Sequence, residues 1–334
     1  MRAIRLRHPA GIGNLELADI PEPGEPGPGE LLVRIRACSI NYHDYSVVQG
    51  VLPSRDAIIP LSDGAGEVLA VGHGVDGFLP GDEVVSTFMW DWADGRELQY
   101  RPHEVPGDTI DGFACEMVRA PLRAFTHVPA GYSAAEAATL PCAAVTAWRA
   151  LVPIGSVKAG DWVLVQGTGG VSVFALQFAK AMGARVIATS SSDAKLERMK
   201  SLGADALINY RRTPEWGSAA RSIAGEGIDI VVEVGGAGTL AQSIAAVRHG
   251  GTIALIGVLA GREGAVPTAQ LFSKQARLIG LTVGSRQHQL DMIRAIDAIA
   301  LRPVIGETFE LSELGDAFRY QEAGLHFGKI GIAI

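Results

Sequence analysis

Cysteine is scarce in this 334-residue sequence, and dense runs of positive charge are absent. Cys38, Cys115 and Cys142 lie far apart and form no Cys-x-x-Cys pair, which argues against a disulfide framework and a clustered structural zinc site. The net charge is −7 and no Lys/Arg-rich run occurs, so a nucleic-acid partner is not expected.

Long apolar runs are also missing. No such run follows residues 1–7, so the start of the sequence does not resemble a secretory signal. No segment reaches the uninterrupted apolar length that a bilayer span requires. We therefore expect a cytoplasmic protein without a membrane partner, and the chain length predicts two domains.

The first 130 residues contain short β-type runs that alternate with turns rich in Gly and Pro. Residues 31–37 and 65–72 are two of the predicted strands. The pattern predicts a compact, partly open β-barrel. Residues 86–112 lack periodicity and carry Trp90 and Trp92, which predicts a long loop that is either functional or a surface flap.

From about residue 134, strand and helix patterns alternate. Residues 162–166 form a short apolar strand, and residues 171–182 follow with apolar side chains at helical spacing. Further strands are predicted at residues 185–189, 206–209, 228–234, 251–257 and 277–283. This alternation predicts an α/β fold with βαβ units and a mainly parallel sheet. We expect the apolar end, residues 329–334, to rejoin the first domain.

A glycine-rich turn follows the strand at residues 162–166 and opens the next helix, as a dinucleotide-binding fingerprint requires. The helix start offers free N–H groups and a positive dipole end to a pyrophosphate. Ser172 replaces the third glycine of the fingerprint. The predicted cofactor contacts in this turn are Gly167, Thr168, Gly169, Gly170 and Val171.

The end of the second strand distinguishes NAD from NADP. An acid about 20 residues after the glycine turn usually binds the ribose 2′-OH of NAD, but here Ser190 and Ser191 occupy that place. Small hydroxyl groups leave room for a 2′-phosphate, and Lys195 or the Tyr210-Arg211 pair can balance its charge. The sequence therefore favours NADP(H), although Lys195 also suits a solvated helix face.

The glycine turn and its strand resemble the medium-chain dehydrogenase/reductase superfamily, as do residues 41–44, 60–66 and 140–148. The likeness is strongest to the zinc-type alcohol dehydrogenase-like branch, near the quinone oxidoreductases. It implies a GroES-like β-barrel domain (1–130 and 305–334), a Rossmann doubly wound parallel-sheet domain (131–304) and an active site in the cleft between them. It also implies a dimer or a tetramer, of which we expect the homodimer.

The resemblance also shows a departure. Zinc-using members hold their catalytic metal at three positions that Asn41, Ser62 and Cys142 occupy in this sequence. An amide, a hydroxyl and one thiol make a poor zinc site, because zinc prefers Cys and His ligands. We therefore predict a metal-free enzyme in which Cys142 is a small packed residue.

The remaining site predictions come from strand ends and from the family. Ligands of open α/β sheets lie beyond the carboxyl ends of the strands. This rule selects Val234, Gly235, Gly257, Val258 and Val283 as cofactor contacts. The resemblance adds Thr146, Phe327 and Lys329, and Trp90 and Trp92 are candidate substrate contacts.

Residues 41–44 are the candidate catalytic cluster, because without zinc a side chain, a water or the cofactor's ribose must stabilise developing charge. Asn41 can donate through its amide, Tyr42 through its phenol, and His43 is suited to proton transfer near neutral pH. Asp44 more plausibly orients its neighbours, and Asp63 is either a loop anchor or a substrate-site residue. A purely structural role stays open for each of them.

Three functions fit these features. The first is an NADPH-dependent oxidoreductase that interconverts an alcohol with a ketone or aldehyde, and the second is a reductase of quinones or α,β-unsaturated carbonyls. The third is a non-enzymatic NADPH-binding protein, against which the polar cluster at residues 41–44 argues.

Overall fold

The structure is a computed structural model that describes residues 1–96 and 103–334. Its internal contacts divide the chain into two units, Met1–Val145 with Val283–Ile334, and Thr146–Thr282. These bounds place residues 131–145 and 283–304 in the first unit, whereas the sequence analysis assigned them to the nucleotide-binding domain. The difference arises because the short helix α2 and the 14-residue helix α9 pack against strands of the first unit.

Strands and helices are numbered in chain order over the described residues. The strands are β1 Arg2–Leu6, β2 Leu15–Asp19, β3 Glu30–Ile40, β4 Asp63–Val71, β5 Glu83–Ser86, β6 Met117–Pro121, β7 Phe125–His127, β8 Trp162–Gln166, β9 Arg185–Ser190, β10 Ala206–Asn209, β11 Ile228–Glu233, β12 Val247–Leu255, β13 Arg277–Gly280, β14 Ile305–Glu310 and β15 Lys329–Ala333. The helices are α1 Tyr42–Val48, α2 Ala134–Ala137, α3 Val145–Arg149, α4 Gly170–Ala181, α5 Asp193–Ser201, α6 Trp216–Ala224, α7 Ala237–Ala246, α8 Thr268–Ser273, α9 Arg286–Ile299 and α10 Leu314–Glu322.

The first unit is built on a seven-stranded sheet. Its order is β14-β15-β3-β4-β5-β7, with β6 also paired to β3, while β1 and β2 form a separate antiparallel pair. The C-terminal strand β15 runs antiparallel to β3, with Ile330 opposite Ile40. The end of the chain therefore rejoins the first unit as predicted, and it places Lys329 beside the residue that precedes Asn41.

Aromatic and aliphatic side chains fill the core of the first unit. Phe113 and Phe125 pack edge to face with ring centroids 6.2 Å apart, and both side chains are fully buried. Along β3 the buried positions alternate at first and then become continuous. This change fits a strand that is covered on both faces where it approaches α1.

The second unit contains a six-stranded parallel sheet of order β10-β9-β8-β11-β12-β13. All five residues of β8 are buried, as expected for a central strand with helices on both faces. The strand order reverses between β8 and β11. This reversal is the point where doubly wound sheets bind dinucleotides.

One apolar helical stretch was missed by the sequence analysis. The run Ala134–Ile154 joins α2, α3 and two π-helical turns, and by length and composition it could cross a membrane. However, 72% of its apolar window is buried inside the protein. Core helices of soluble proteins show the same property, so this feature is weak support for a membrane span.

Candidate functional site

The glycine turn after β8 has the backbone that a phosphate-binding loop needs. Gly167 has a φ of 71°, which a residue with a side chain adopts only at a cost, and its N–H donates to the Thr189 carbonyl at 2.8 Å. Gly169 then precedes the first residue of α4. The predicted contacts Thr168, Gly170 and Val171 thus lie at the N-terminus of this helix, where unpaired N–H groups can receive an anion.

Ser172 occupies the position of the usual third glycine of the fingerprint. Its side chain is buried, and its Oγ donates to the carbonyl oxygen of Gln166 at 2.6 Å. This bond fastens the first turn of α4 to the end of β8. A small hydroxyl therefore fits at the close helix–strand contact that a glycine usually permits.

Asp193 is engaged by neighbouring side chains. It is the first residue of α5, and its carboxylate accepts from Asn209 Nδ2 at 2.6 Å and pairs with Arg212. Asn209 and Arg212 were not identified from the sequence, because their contact with Asp193 depends on the pairing of β10 with β9. These bonds occupy the carboxylate that follows the position where NAD enzymes bind ribose.

Ser190 is the last residue of β9 and Ser191 follows it, and both stay predicted cofactor contacts. Ser190 Oγ accepts from Ser192 N at 3.2 Å, and Ser192 caps the helix that carries Lys195. Burial, followed by the charge of Arg198, lowers the pKa of Lys195. Tyr210 is exposed at the end of the neighbouring strand. The structure thus gathers hydroxyl and basic groups on one side of the glycine turn.

The loops after β11 and β12 are held by Glu233, which the sequence analysis missed. Its carboxylate is fully buried and accepts from five donors: Gly235 N at 2.7 Å, Gly236 N at 3.0 Å, Thr239 Oγ1 at 2.6 Å, Gln166 Nε2 at 2.7 Å and Ser243 Oγ. The same Gln166 side chain accepts from the N–H of Val234 and of Gly235.

These bonds fix the loop that carries the predicted contacts Val234 and Gly235. Gly257 lies against it, because a Cβ there would come 2.4 Å from the Val234 carbonyl oxygen. Val258 is partly exposed next to it. The two loops therefore form one tightly packed rim at the carboxyl ends of β11 and β12.

In the first unit, a buried ammonium group joins the predicted catalytic cluster. Lys329 is only 3% exposed, and its Nζ donates to the Ile40 carbonyl at 3.0 Å and to Asn41 Oδ1. Asn41 Nδ2 in turn donates to Ser62 Oγ at 3.3 Å. Lys329, which the sequence analysis placed near the cofactor, is thus part of the polar cluster around Asn41.

Asp63 completes this cluster. Its Oδ2 lies 3.9 Å from Lys329 Nζ and accepts from Cys142 N at 3.3 Å, and its Oδ1 accepts from Ser62 Oγ at 3.3 Å. Burial raises the pKa of Asp63 to about 7, although the Lys329 charge opposes this shift. Burial likewise raises the pKa of the Cys142 thiol, so the neutral thiol predominates at neutral pH.

Asp44 has the orienting contacts that the sequence analysis favoured. Its two carboxylate oxygens accept from Asn41 N at 2.7 Å and from Ser62 N at 2.8 Å. It therefore ties the start of α1 to the segment before β4. Leu61, in that segment, has a φ of 78°, a strained value for a branched side chain that is common near functional sites.

His43 and Tyr42 lie in different surroundings. Nε2 of His43 is 3.4 Å from Oδ2 of Asp108, and the imidazole packs edge-on against Phe88. Tyr42 is largely exposed, with its ring 5.7 Å from that of Tyr45. Asp108 was missed by the sequence analysis, since nothing in the local pattern connects it with α1.

The two indoles predicted to contact substrate are mostly enclosed. Trp90 is 9% exposed and packs against Phe113, and Trp92 is 4% exposed and packs edge-on against His288. This burial leaves little indole surface for a substrate. Residues 97–102 of the same predicted loop lie outside the described part of the chain.

The remaining predicted cofactor contacts are buried. Thr146 lies in α3, and Phe327 lies two residues before Lys329 at the start of β15. Val283 follows β13 with a φ of 42°, an outlier for a β-branched residue. The cofactor contacts of these three positions stay predictions.

Comparisons with known proteins match both units. Residues 27–130 match the alcohol dehydrogenase GroES-like domain, and residues 170–300 match the zinc-binding dehydrogenase domain. A zinc-type alcohol dehydrogenase-like protein of Schizosaccharomyces pombe is 42% identical over 97% of this chain and 96% of its own length. This chain belongs to the medium-chain dehydrogenase/reductase superfamily.

Other superfamily members show the range of cofactors and reactions. A crystal structure of an NAD-dependent alcohol dehydrogenase matches with a TM-score of 0.92, 37% identity and full coverage of both chains. A mycobacterial protein complexed with NADPH matches with a TM-score of 0.84, 28% identity and full coverage of both chains. The acryloyl-coenzyme A reductase of Metallosphaera sedula is 27% identical over 94% of this chain and 95% of its own length.

Membership confirms the predicted fold class, a GroES-like domain with a Rossmann-type parallel-sheet domain, and an oxidoreductase activity with a nicotinamide cofactor. The glycine turn and the helix start at α4 fit such a cofactor, because they offer backbone N–H groups to its phosphates.

A zinc ion, which the family name implies, does not fit the residues present. Asn41, Ser62 and Cys142 supply an amide, a hydroxyl and one thiol, and the Asn41 oxygen already accepts from Lys329. The positive charge of that ammonium group opposes the binding of a divalent cation at the same place. Within residues 1–96 and 103–334, no group of three or more His, Cys, Asp or Glu side chains has a metal-site arrangement.

Proposed function

We propose that this protein is a zinc-independent, NADPH-dependent oxidoreductase that interconverts an alcohol with a ketone or aldehyde by hydride transfer. The observation that carries the proposal is the buried Lys329 ammonium group, hydrogen-bonded to Asn41 within the cluster of Ser62 and Asp63. This cluster contains a fixed positive charge and polar donors. A related enzyme would have a metal ion in the corresponding place.

The cofactor supplies the hydride, and the protein's residues bind the cofactor and stabilise the charge that develops on the substrate. Backbone N–H groups at the start of α4 would bind the pyrophosphate, and the rim fixed by Glu233 would border the nicotinamide half. As hydride reaches a carbonyl carbon, negative charge develops on its oxygen. Donors that are already oriented stabilise that charge without reorganisation, and Asn41 is held by Lys329 and Ser62.

A proton must also reach the new alkoxide. Asp63, with a pKa of about 7, is partly protonated at neutral pH and bonds to Ser62. His43 lies in the first turn of α1, two residues after Asn41, and its pKa is raised above its ordinary value. We assign proton donation to His43, since its side chain is partly exposed whereas Asp63 is fully buried.

The preference for NADPH rests on the end of β9. An NAD enzyme needs a carboxylate that is free to accept from the ribose hydroxyl groups, but Asp193 is occupied by Asn209 and Arg212. Ser190 and Ser191 would supply hydroxyl groups, and Lys195 a positive charge, to a 2′-phosphate. The similarity to an NAD-dependent member makes this preference the point to test first.

Nucleotide titration of the Lys195→Ala variant tests it directly. We expect the Kd for NADPH to rise about tenfold, as for loss of one charge-assisted bond, while the Kd for NADH stays unchanged. Lys200→Ala, which removes an exposed lysine from the same helix, is the matched control and should change neither constant. Equal loss of both affinities in Lys195→Ala would contradict the assignment.

The reaction itself is tested with stereospecifically deuterated NADPH and a panel of carbonyl substrates. Deuterium on the carbinol carbon of the product supports the proposal, and metal analysis of the active protein should find no stoichiometric zinc. Stoichiometric zinc that activity requires would refute the zinc-independent part. Tight NADPH binding without turnover of any substrate would favour a non-enzymatic binding protein.

Reduction of an activated C=C bond is the second candidate. The similarity to an acryloyl-coenzyme A reductase favours it, and the same fixed donors would then stabilise an enolate oxygen. Deuterium would appear on the β-carbon of an α,β-unsaturated carbonyl compound instead of on a carbinol carbon. The label thus separates the two reactions in one experiment.

We also propose a homodimer formed through the edge of the parallel sheet. Strand β13 is the outer strand of that sheet, and Phe272 on the preceding helix is 82% exposed. An exposed edge beside a large apolar side chain is a common pairing surface. Phe272→Asp should give a monomer in light scattering, whereas Leu325→Asp, an exposed position in the first unit, should not. The predicted cytoplasmic location stays a prediction.

A further inference from the structure

We propose that Asp108 is a positioning residue that holds the imidazole of His43 for proton transfer to the reduced substrate oxygen. The inference rests on the proposed function, because it concerns the proton that completes carbonyl reduction. In that step the carbonyl carbon takes a hydride from NADPH, and the oxygen takes a proton from the His43 imidazolium. His43 is then reprotonated from solvent.

The two side chains lie within ion-pair distance of each other. Nε2 of His43 lies 3.4 Å from Oδ2 of Asp108, and this nitrogen has essentially no solvent-accessible surface and no aligned hydrogen bond within the described residues, so the carboxylate is the charged group that faces it. The His43 side chain as a whole is still 24% exposed. The exposed part of the side chain therefore lies away from Nε2, and Nε2 faces Asp108.

Packing against an aromatic ring also restricts the imidazole of His43. Phe88 packs against it at a centroid distance of 5.2 Å and an interplanar angle of 75°. Asp44, one residue further along α1, bonds to the backbone at the start of the helix. Ring packing and helix anchoring thus limit rotation of His43, and the carboxylate of Asp108 selects one orientation of the ring.

Asp108 itself is carried by a loop that is fastened to the catalytic cluster. Gly107 has a φ of 76°, and a Cβ at this position would lie 2.6 Å from the backbone nitrogen of Leu61. Backbone bonds from Gly112 to Ile59 and from Phe113 to Leu61 continue this contact. The loop therefore cannot move independently of the segment that leads to Ser62 and Asp63, and Asp108 keeps its distance from α1.

The charges around the ring favour an imidazolium. Burial alone lowers the pKa of His43, but the interaction with Asp108 and the negative charges of Asp44 and Asp63 outweigh it, and the pKa is raised from 6.5. A raised pKa increases the fraction of His43 that is protonated at a given pH, which suits a proton donor. Asp108 is thus both the structural and the electrostatic partner of the ring.

The test compares Asp108→Asn with Glu104→Gln. Both remove one carboxylate from the same segment, but Glu104 bonds to Arg123 rather than to His43. NMR titration of the histidine rings, with the His43 signal assigned by its loss in His43→Gln, reads the pKa without any need for a substrate. We expect Asp108→Asn to lower the pKa of His43 by about 1 and Glu104→Gln to leave it unchanged.

Kinetics then test the catalytic role. As the pH is raised, kcat for carbonyl reduction should begin to fall at a lower pH in Asp108→Asn than in the wild type. At pH 8, the kcat of the variant should be about tenfold lower, which is part of the ~100-fold or larger contribution of general acid catalysis. The KM for NADPH should not change. In a His43→Gln background, adding Asp108→Asn should cause no further loss of kcat. With His43 present, Asp108→Glu should have the wild-type pH profile.

The pairing of Asp108 with His43, the positioning role and the proposed function are each contradicted by a different result. An unchanged pKa of His43 in Asp108→Asn, or a wild-type pKa below 6.5, would overturn the pairing even if the enzyme reduces carbonyls. An equal kcat loss in the wild-type and His43→Gln backgrounds would show a structural role only and overturn the positioning role. If no carbonyl is reduced, the proposed function fails, and the NMR titration still decides whether Asp108 controls His43.

Discussion

Replacing Asp63 by asparagine tests whether a buried carboxyl group makes stability depend on pH. The side chain is fully buried, and it contacts Ser62, the Cys142 backbone and, at 3.9 Å, the Lys329 ammonium group. Asparagine has nearly the same shape but is neutral at every pH. The substitution therefore removes the ionisation of Asp63 and leaves the packing nearly unchanged.

The direction and the size of this pH dependence follow from the pKa of Asp63. Burial raises the pKa of Asp63 from 3.8 to about 7, so between these values the folded protein binds a proton that the unfolded chain has released. Its contribution to the free energy of unfolding is therefore complete below pH 3.8 and falls as the pH rises towards 7. The whole difference is about 4 kcal/mol, of which about 3 kcal/mol falls between pH 5 and pH 8.

Urea unfolding at pH 5 and pH 8 measures the effect. Asp63→Asn should destabilise the protein by about 3 kcal/mol less at pH 8 than at pH 5, because only the wild type has a buried carboxylate at the higher pH. Asp316→Asn, which changes an exposed carboxylate on α10, is the control and should show no such difference. A pH-independent effect of Asp63→Asn, or one of opposite sign, would refute the reasoning.

Three further predictions concern the nucleotide-binding unit. Glu233→Ala should cost about 3 kcal/mol or more and lower the Tm by several degrees, because buried donors lose their acceptor. Gly167→Ala and Gly160→Ala should each cost about 1–2 kcal/mol, since both glycines have positive φ with open space around the Cβ position, but only Gly167→Ala should weaken NADPH binding in titration. Ser172→Gly should lower stability by about 1–2 kcal/mol in urea unfolding, because the bond from Ser172 Oγ to the end of β8 is lost.

Each of these three predictions has a clear contrary result. An unchanged Tm in Glu233→Ala would show that water replaces the lost acceptor. Equal NADPH affinity in the two glycine variants would argue that phosphate does not bind at Gly167. A stability gain in Ser172→Gly would mean that close helix–strand packing matters more than the hydroxyl bond.

The nucleotide-binding unit was largely predictable from local sequence patterns. The apolar run at β8, the glycine turn and the helical spacing of α4 each involve only neighbouring residues, and their bounds in the structure lie within a residue or two of the prediction. The run Ala134–Ile154 was less accessible, because π-helical turns and short helices interrupt its periodicity. Local sequence patterns predict a helix or strand well where that element is regular and has one buried face.

The polar cluster was predictable only in part. Residues 41–44 were selected as candidates from their chemistry, and Asp44 has the orienting contacts expected of it. The Lys329 ammonium group was expected near the cofactor, yet the structure bonds it to Asn41. Glu233 and Asp108 gave no signal at all, since a single carboxylate in a strand end or a loop is an ordinary feature.

The amino-acid sequence by itself determined the α/β class, the position of the glycine turn, and the amide and hydroxyl side chains at positions 41 and 62. These properties depend on residue type and on short-range periodicity. Tertiary structure alone decided which partners meet: β15 brings Lys329 to Asn41 across 288 residues, and the loop at Gly107 brings Asp108 to His43. Such contacts arise from strand pairing and loop packing, which no local pattern encodes.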